Sequence, residues 1–452
     1  MSTHSLSSAG IESAKASKKF IQVGQLFEKM PVTSEHWKAG LALFFSFAIE
    51  AWEMMIIILS SASIGAEFKL DEAQIGSLIG SIYLGMIPGC LIWGKLIDKF
   101  GRKKAMIYSL ISYGIISLLS AFAVNYDMLW WLRFCSGVGL AGLMVATFPY
   151  FEELLPVKIR GKATVYLASG WPVGFLIAIG VTYLFMDMGW RWILGISSIA
   201  GLWFLVVAAL VPESPYWLAG KGRQTEAKEV IRRLSAGKMD NEFDNVELIV
   251  EEVKEGSFIE IFRGKFLRPT SLQIIINFCF SWGYWALSSW MPVLLAKKGL
   301  SAPQGLGFMA LSALFMFPGY MTASYLTGKF GRKKVMFTFV LFAAIGGFGF
   351  ASSSTMAEMY IWNFVLSFFS LGAWGVWDTW MAELYPTEVR GVSYSIGATA
   401  QRVANAIAPS VIGAMLTANT SFLATVSFIS TFLVITFIAT LFLKEMEGEI
   451  LH

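Results

Sequence analysis

Long apolar runs alternate with short polar strings over most of this chain, near 39–61, 75–98, 104–124, 128–151, 164–185 and 192–211. Six more follow near 271–295, 305–328, 334–353, 358–382, 393–417 and 422–443. A bilayer core about 30 Å thick takes roughly 20 apolar residues per helix, so each run predicts one membrane-spanning helix. The pattern breaks at 212–270, where apolar positions recur at helical spacing among charges, as in Thr225-Glu-Ala-Lys-Glu-Val-Ile-Arg-Arg-Leu234. Short surface helices are expected there. The predicted organisation is a tail over 1–38, a six-helix lobe over 39–211, a linker over 212–270, a second six-helix lobe over 271–443 and a tail over 444–452.

The polar strings repeat. Lys99-Phe100-Gly101-Arg102-Lys103-Lys104 recurs letter for letter as Lys329-Phe330-Gly331-Arg332-Lys333-Lys334, 230 residues on. At the same offset, Glu153-Leu-Leu-Pro156-Val-Lys-Ile-Arg160-Gly161 matches Glu383-Leu-Tyr-Pro386-Thr-Glu-Val-Arg390-Gly391, and Leu70 and Gln74 fall on Leu300 and Gln304. The chain is two copies of one unit. The predicted fold is all-α: twelve transmembrane helices in two pseudo-symmetric six-helix lobes.

Composition narrows the chemistry. The chain is 56% hydrophobic and 15% charged, against roughly 25% charged in soluble domains, which fits a lipid-facing surface. A net charge of +4 is too small to argue for nucleic acid. Cys90, Cys135 and Cys279 lie inside apolar runs, and the histidines stand at 4, 36 and 452. No metal or cofactor framework and no enzyme follow from these positions. The predicted tails and the loops on their side hold 29 of the 35 Lys and Arg, and the opposite loops hold four. Positive-inside bias thus places both termini in the cytoplasm. The first 38 residues contain no leading apolar stretch, so no cleavable signal peptide is expected before the first span.

Gly94-Lys-Leu-Ile-Asp98-Lys-Phe-Gly101-Arg102-Lys103 resembles the loop signature between spans 2 and 3 of the major facilitator superfamily. Pro212-Glu-Ser-Pro-Tyr-Trp-Leu218 after span 6 and both Glu-Leu-x-Pro-x-x-x-Arg-Gly strings are similar to its sugar-porter and organic-ion branch. Glu50-Ala-Trp-Glu53 resembles the acidic pair in span 1 of bacterial aromatic-acid and niacin transporters, with Glu where that group usually has Asp. Arg402-Val-Ala-Asn-Ala-Ile-Ala-Pro409 resembles their span 11, with Ala404 and Asn405 in place of the Gly pattern. Phe27-Glu-Lys-Met-Pro31-Val-Thr-Ser-Glu-His36-Trp is also similar to niacin-transporter relatives. The resemblance spans about residues 25 to 445 and implies a carrier working by alternating access.

Five ionisable residues fall at membrane depth: Glu50, Glu53, Arg133, Asp378 and Arg402. Each costs roughly 2.5–3.5 kcal/mol there and needs a partner or a task. Glu50 and Glu53 share a helical face. With no membrane histidine, a carboxylate must carry any coupled proton; the alternative is a static ion pair with Arg133 or Arg402. Resemblance to sugar–proton symporters pairs Glu53 with Arg133. Arg402 is a clamp for a substrate carboxylate, a role Arg133 could share, or else a structural partner for Asp378. Trp374, Trp377, Trp282, Tyr284 and Trp285 are candidates to stack on a flat ring or to serve as packing. Gln273 and Asn277 are candidate substrate hydrogen-bonders. Gly170, Trp171, Pro172 and Gly174 mark span 5 as a flexing helix.

At the cytoplasmic ends, Asp98, Arg102, Glu153 and Arg160, and in the second copy Arg332, Glu383 and Arg390, are expected to form salt bridges that latch the outward-facing state. Gly328 stands where Asp98 does, which predicts a weaker second latch. The surplus Lys103, Lys104, Lys333 and Lys334 serve topology, and Glu152, matched by Ala382, has no assigned role.

The expected function is proton-coupled import of a small organic acid, with nicotinate or another aromatic monocarboxylate as substrate, Arg402 or Arg133 on its carboxylate, and Glu53 carrying the proton. The rivals are a sugar, polyol or organic-cation carrier of the same architecture, and a transporter-like receptor that binds without moving its ligand. The expected partners are the small-molecule substrate, protons and the lipid bilayer, with a monomeric chain.

Overall fold

The computed structural model describes residues 19–242, 246–250 and 259–444. Tail positions 1–18 and 445–452 and linker positions 243–245 and 251–258 lie outside the described residues. A strand β1 (Lys19–Gln22) leads into α1 (Val23–Lys29). The first lobe follows with α2 (Ser34–Phe68), α3 (Glu72–Phe100), α4 (Arg102–Ser120) and α5 (Tyr126–Leu154). Its fifth span comes in two pieces, α6 (Val157–Ala168) and α7 (Gly170–Phe185). Its sixth is α8 (Trp190–Ser197), a 3-10 stretch (Ser198–Trp203) and α9 (Phe204–Leu210). The linker holds α10 (Pro215–Gly220), α11 (Gln224–Ser235) and β2 (Val246–Ile249). The second lobe is α12 (Leu267–Lys297), α13 (Ala302–Phe330), α14 (Arg332–Ser352), α15 (Met356–Glu383), α16 (Thr387–Thr417) and α17 (Phe422–Leu441).

All twelve predicted runs are helical. The break in span 5 falls at Ser169, three residues before Pro172, whose ring removes one helical hydrogen bond. Nine of the described helices are long and apolar enough to cross a membrane on those two criteria. The spans α4, α12 and α16 fall outside that group, and their sequences show why. They carry Lys103, Lys104 and the buried Ser109, Ser117 and Ser120, then the buried Gln273 and Asn277, then the buried Gln401 and Asn405 with the half-buried Arg402.

The repeated motifs sit at repeated turns. Gln74 and Gln304 each close a capping box, accepting from the backbone N–H of Asp71 at 3.1 Å and of Ser301 at 2.9 Å. Gly101 and Gly331, with φ of 95° and 88°, each end one span and start the next. Only glycine takes that backbone readily.

The helix pairs that join the lobes include α3 with α16, α7 with α13 and α2 with α12. The first is very close: a Cβ on Gly76 would lie 2.2 Å from the Pro409 carbonyl oxygen, and one on Gly413 would lie 2.2 Å from that of Glu72. Small residues let backbones meet in lipid. Trp290 Nε1 donates to the Pro409 carbonyl at 2.9 Å, and Lys297 lies 3.9 Å from Glu72. These contacts close the bundle on the side opposite the termini.

The linker folds onto the first lobe. Thr33 Oγ1 donates to the Leu234 carbonyl at 2.7 Å, and Arg233 pairs with Glu35 at 2.8 Å. Strands β1 and β2 pair in parallel, Lys19 opposite Val246 through Gln22 opposite Ile249. Surface helices alone are expected from the sequence; a four-residue strand gives too little alternation to read, and its partner lies more than two hundred residues away.

Candidate functional site: a charged centre between the lobes

In the first lobe, α2 carries Glu53 and α5 carries Arg133 to one buried point. Arg133 Nη1 donates to Glu53 Oε1 at 2.7 Å, and both side chains are almost wholly buried. Arg133 Nη2 donates to Ser120 Oγ at 2.8 Å, while Ser136 and Ser117 hydroxyls donate to Glu53 at 3.2 and 3.3 Å. Arg133 Nε is left without a partner. Tyr113 lies in the electrostatic reach of both charges. This is a charge pair nearly closed by its own lobe. Ser120, Ser117 and Tyr113 follow helical spacing on α4, a polar stripe in an apolar run that could have located the site.

Glu50, one turn earlier on α2, lies elsewhere. It is buried, its Oε2 has no hydrogen-bond partner, and its charged neighbour is Arg402. Arg402, midway along α16, makes no ion pair among the described residues. Its Nη2 contacts Met144 Sδ of α5 at 2.8 Å, and its buried Nε has no partner. Asp378 on α15 feels Arg402 through space and touches the Trp374 indole. Tyr83 and Cys90 of α3 and Tyr394 of α16 also fall within the field of Arg402. Arg402 thus faces Glu50 and Asp378 from opposite lobes without being neutralised by either. The structure shows no direct pair between Arg402 and Asp378.

The remaining candidates divide. Asn277 Oδ1 accepts from Trp377 Nε1 at 3.0 Å and Gln401 Nε2 at 2.6 Å, and its Nδ2 donates to the Gln273 carbonyl at 2.9 Å. Gln273 Nε2 donates to the Ser393 carbonyl at 2.7 Å. A Cβ on Gly397 would lie 2.6 Å from Gln273 Nε2, so that glycine admits the network. Asn277, Gln273 and the fully buried Trp377 therefore tie α12, α15 and α16 together. Gln401 and Gly397 belong to this knot and do not stand out in the sequence.

Trp285 meets Tyr83 at 5.5 Å, Trp171 at 5.3 Å and Tyr284 at 5.4 Å, all edge-on. Trp374 stacks on Phe280 and lies 6.1 Å from Tyr284. Through Trp374, which touches Asp378, and Tyr83, which lies in the field of Arg402, this ring cluster adjoins the charged centre. Trp282 instead stacks on Phe432 at 4.6 Å, between α12 and α17.

The motif residues at the termini side pair within each lobe. They do so in a bundle joined opposite the termini, so these pairs do not mark an outward-facing state as the sequence suggests. Arg102 grips Glu153 through two hydrogen bonds of 3.0 and 3.1 Å, and Arg332 lies 2.6 Å from Glu383. Arg160 and Arg390 donate to the carbonyls of Leu155 and Tyr385, five residues back in both copies. Asp98 is largely exposed and 4.0 Å from Arg102, so its absence from the second copy removes little. Glu213, to which the sequence assigns no role, also holds the first of these turns. Its carboxylate accepts from the backbone N–H groups of Arg102, Lys103 and Ser214 at 2.9, 3.2 and 2.8 Å. It caps α4, where a negative group at a helix N-terminus is favoured. Burial raises its pKa, opposed by those same N–H groups.

A family model for the Major Facilitator Superfamily matches residues 41–409, with a second match over 308–450. The chain belongs to the Major Facilitator Superfamily. It is 29% identical to the niacin transporter NiaP of Acinetobacter baylyi, over 87% of this chain and 90% of that one. It is 26% identical to the 4-hydroxybenzoate transporter PcaK of the same species, over 82% and 83% of the two chains. The inward-open xylose transporter XylE of E. coli superposes with a TM-score of 0.75 at 19% identity, covering 92% of this chain and 98% of that one. The protein is a multi-pass membrane transporter of small molecules, not an enzyme.

Proposed function

We propose that this transporter imports a small aromatic monocarboxylate, with nicotinate the leading substrate, together with protons across the inner membrane, both termini being cytoplasmic. The observation that carries the reading is Arg402. A guanidinium midway through the bundle, without an ion pair among the described residues, is costly unless an anion arrives to meet it. A carboxylate meets it with charge-assisted and, at best, bidentate hydrogen bonds. Trp374, beside Asp378, with Tyr284 and Trp285 packed behind it, suits a flat ring. Relatives named for niacin and 4-hydroxybenzoate support the substrate class.

Arg133 is less suited to the substrate, because Glu53 already holds it. Of the two acids in the first span, Glu50 faces Arg402, where an arriving carboxylate would compete with it. Protonation of Glu50 would release Arg402 to the substrate, and Glu53 with Arg133 would couple that charge change to movement of the first lobe. With the lobes joined opposite the termini, the structure fits the inward-facing half of an alternating-access cycle.

Labelled nicotinate uptake into proteoliposomes, with and without an inward proton gradient, tests the whole reading. Gradient-driven accumulation is expected. In Glu53→Gln and Glu50→Gln, exchange of nicotinate should persist while pH-driven accumulation falls. Accumulation unaltered in both variants would place coupling elsewhere, and absence of nicotinate uptake in the wild type would end the nicotinate assignment.

A further inference from the structure

One face of α16 runs from open to closed. Tyr394, Ala398, Arg402, Asn405 and Pro409 succeed one another on it at three- and four-residue spacing. Tyr394 is 45% exposed, Arg402 is half-buried, Asn405 is 1% exposed, and the Pro409 carbonyl lies in the seam with α3. The face therefore descends from the termini side to the joint between the lobes, with Asn405 one turn beyond Arg402.

The floor of this descent holds unmade hydrogen bonds. Asn405 Oδ1 and Nδ2 are both buried without a partner among the described residues. The packing register brings a second such group to the same level. Antiparallel contacts of α3 with α16 set Glu72 on Gly413, Gly76 on Pro409 and Gly80 on Ala406. The next turn of α3 carries Tyr83, which lies in the field of Arg402 and keeps a buried hydroxyl without a partner among the described residues.

An unmatched buried amide is expensive in low dielectric. Packing does not call for one here, since leucine fills nearly the same volume with no polar atom. One turn away, Gln401 meets the same problem and solves it by donating to Asn277 at 2.6 Å. Nor is the approach firmly closed. The Met144 sulfur that rests on Arg402 Nη2 is a weak acceptor on a flexible side chain, and a carboxylate would displace it.

We propose that Asn405, with Tyr83, is a specificity-determining residue of the transport site, donating to a hydrogen-bond acceptor in the ring of a substrate whose carboxylate Arg402 holds. The assignment rests on the aromatic-acid reading above. Side chains three apart on a helix leave it about 5–6 Å apart at Cβ, so a single six-membered ring reaches from one to the other. In nicotinate the ring nitrogen is the acceptor; benzoate has a C–H in its place. A site built to make a hydrogen bond rejects the analogue that lacks it, because its own polar groups are then left unpaired.

Calorimetric binding of nicotinate and of benzoate to the purified full chain tests this. Wild type should bind nicotinate roughly tenfold or more tightly than benzoate, the worth of one hydrogen bond with a buried partner. Asn405→Leu keeps the side-chain size and removes an unmatched amide, so it should fold and melt no lower than wild type. Its preference should shrink to about twofold, through weaker nicotinate binding with benzoate unchanged or tighter. Asn405→Ala gives the same reading in a smaller side chain, and Tyr83→Phe should lower the preference in part. Arg402→Leu should weaken both acids alike. A wild type that binds the two acids equally, or Asn405→Leu and Asn405→Ala proteins that keep the full preference, overturns the assignment while the aromatic-acid reading stands. If neither acid binds wild type, that reading falls and the assignment falls with it.

Discussion

The first lobe closes its buried charge on itself, whereas the second leaves its charge open. Arg133 and Glu53 meet at 2.7 Å and are wrapped by three serine hydroxyls. In the second lobe the hydrogen-bonded knot of Asn277, Gln401 and Trp377 is neutral, and the two charges beside it, Arg402 and Asp378, make no direct pair. Two copies of one unit have thus been put to different uses. A matched charge pair can be buried permanently, because each member compensates the other's desolvation. An unmatched one is tolerated only in a cavity that water or substrate can reach, and there it discriminates among ligands.

The contrast is sharpest in stability. Arg133→Leu would strand Glu53 in an apolar interior, at a cost of about 3–5 kcal/mol for breaking a buried pair. A large loss of thermal stability in lipid nanodiscs is expected, mostly recovered in the double variant with Glu53→Leu. Arg402→Leu, which breaks no ion pair, should match or exceed wild type in the same assay. If Arg402→Leu is as damaging as Arg133→Leu, Arg402 is a structural cation and the contrast fails.

Binding should invert that order. Loss of a charge-assisted carboxylate contact, about 1.5–3 kcal/mol for each hydrogen bond to a charged group, predicts a nicotinate affinity roughly a hundredfold weaker in Arg402→Leu. Arg402→Lys should recover part of it, since the charge remains but the planar fork does not. Unchanged affinity in Arg402→Leu would remove this residue from the site.

The fold was legible because hydrophobic length and an internal repeat are strong, redundant signals: twelve runs, and strings such as Lys-Phe-Gly-Arg-Lys-Lys at a fixed offset. Ionisable residues at membrane depth were legible too, since so few exist. What each does there was not. Trp377 and Asn277 read as ligand groups, yet hydrogen-bond each other, a fact that depends on how α12 and α15 are rotated. Glu50 and Glu53 look alike in sequence, and only the packing separates the paired acid from the open one.

A smaller effect is expected at the repeated turns. Gly101 and Gly331 share a positive φ, so alanine at either costs backbone strain of about 1–3 kcal/mol. At Gly101 an added Cβ would also fall 2.2 Å from Glu213 Oε2 and displace the cap on α4. Gly101→Ala should therefore lower thermal stability by more than that strain alone, and Glu213→Gln in the same background should cost little further. Full additivity of the two substitutions would mean that the side chain added at Gly101 and the Glu213 cap do not meet.

The smallest expected effect concerns Glu213 itself. Burial holds its carboxyl above the ordinary value, and the backbone N–H groups of Ser214, Lys103 and Arg102 only partly offset this. A carboxyl that keeps its proton more tightly in the folded chain than in the unfolded one favours folding as pH falls toward the ordinary carboxylate value. It costs stability as pH rises through its folded value. The melting temperature of wild type minus that of Glu213→Gln should therefore decline as pH is raised from about 4.5 toward neutrality. A difference that grows over that range would show that the three N–H donors outweigh burial. Glu213 would then be a cap favoured in its charged form, and the turn it closes would be stronger at neutral pH than in acid.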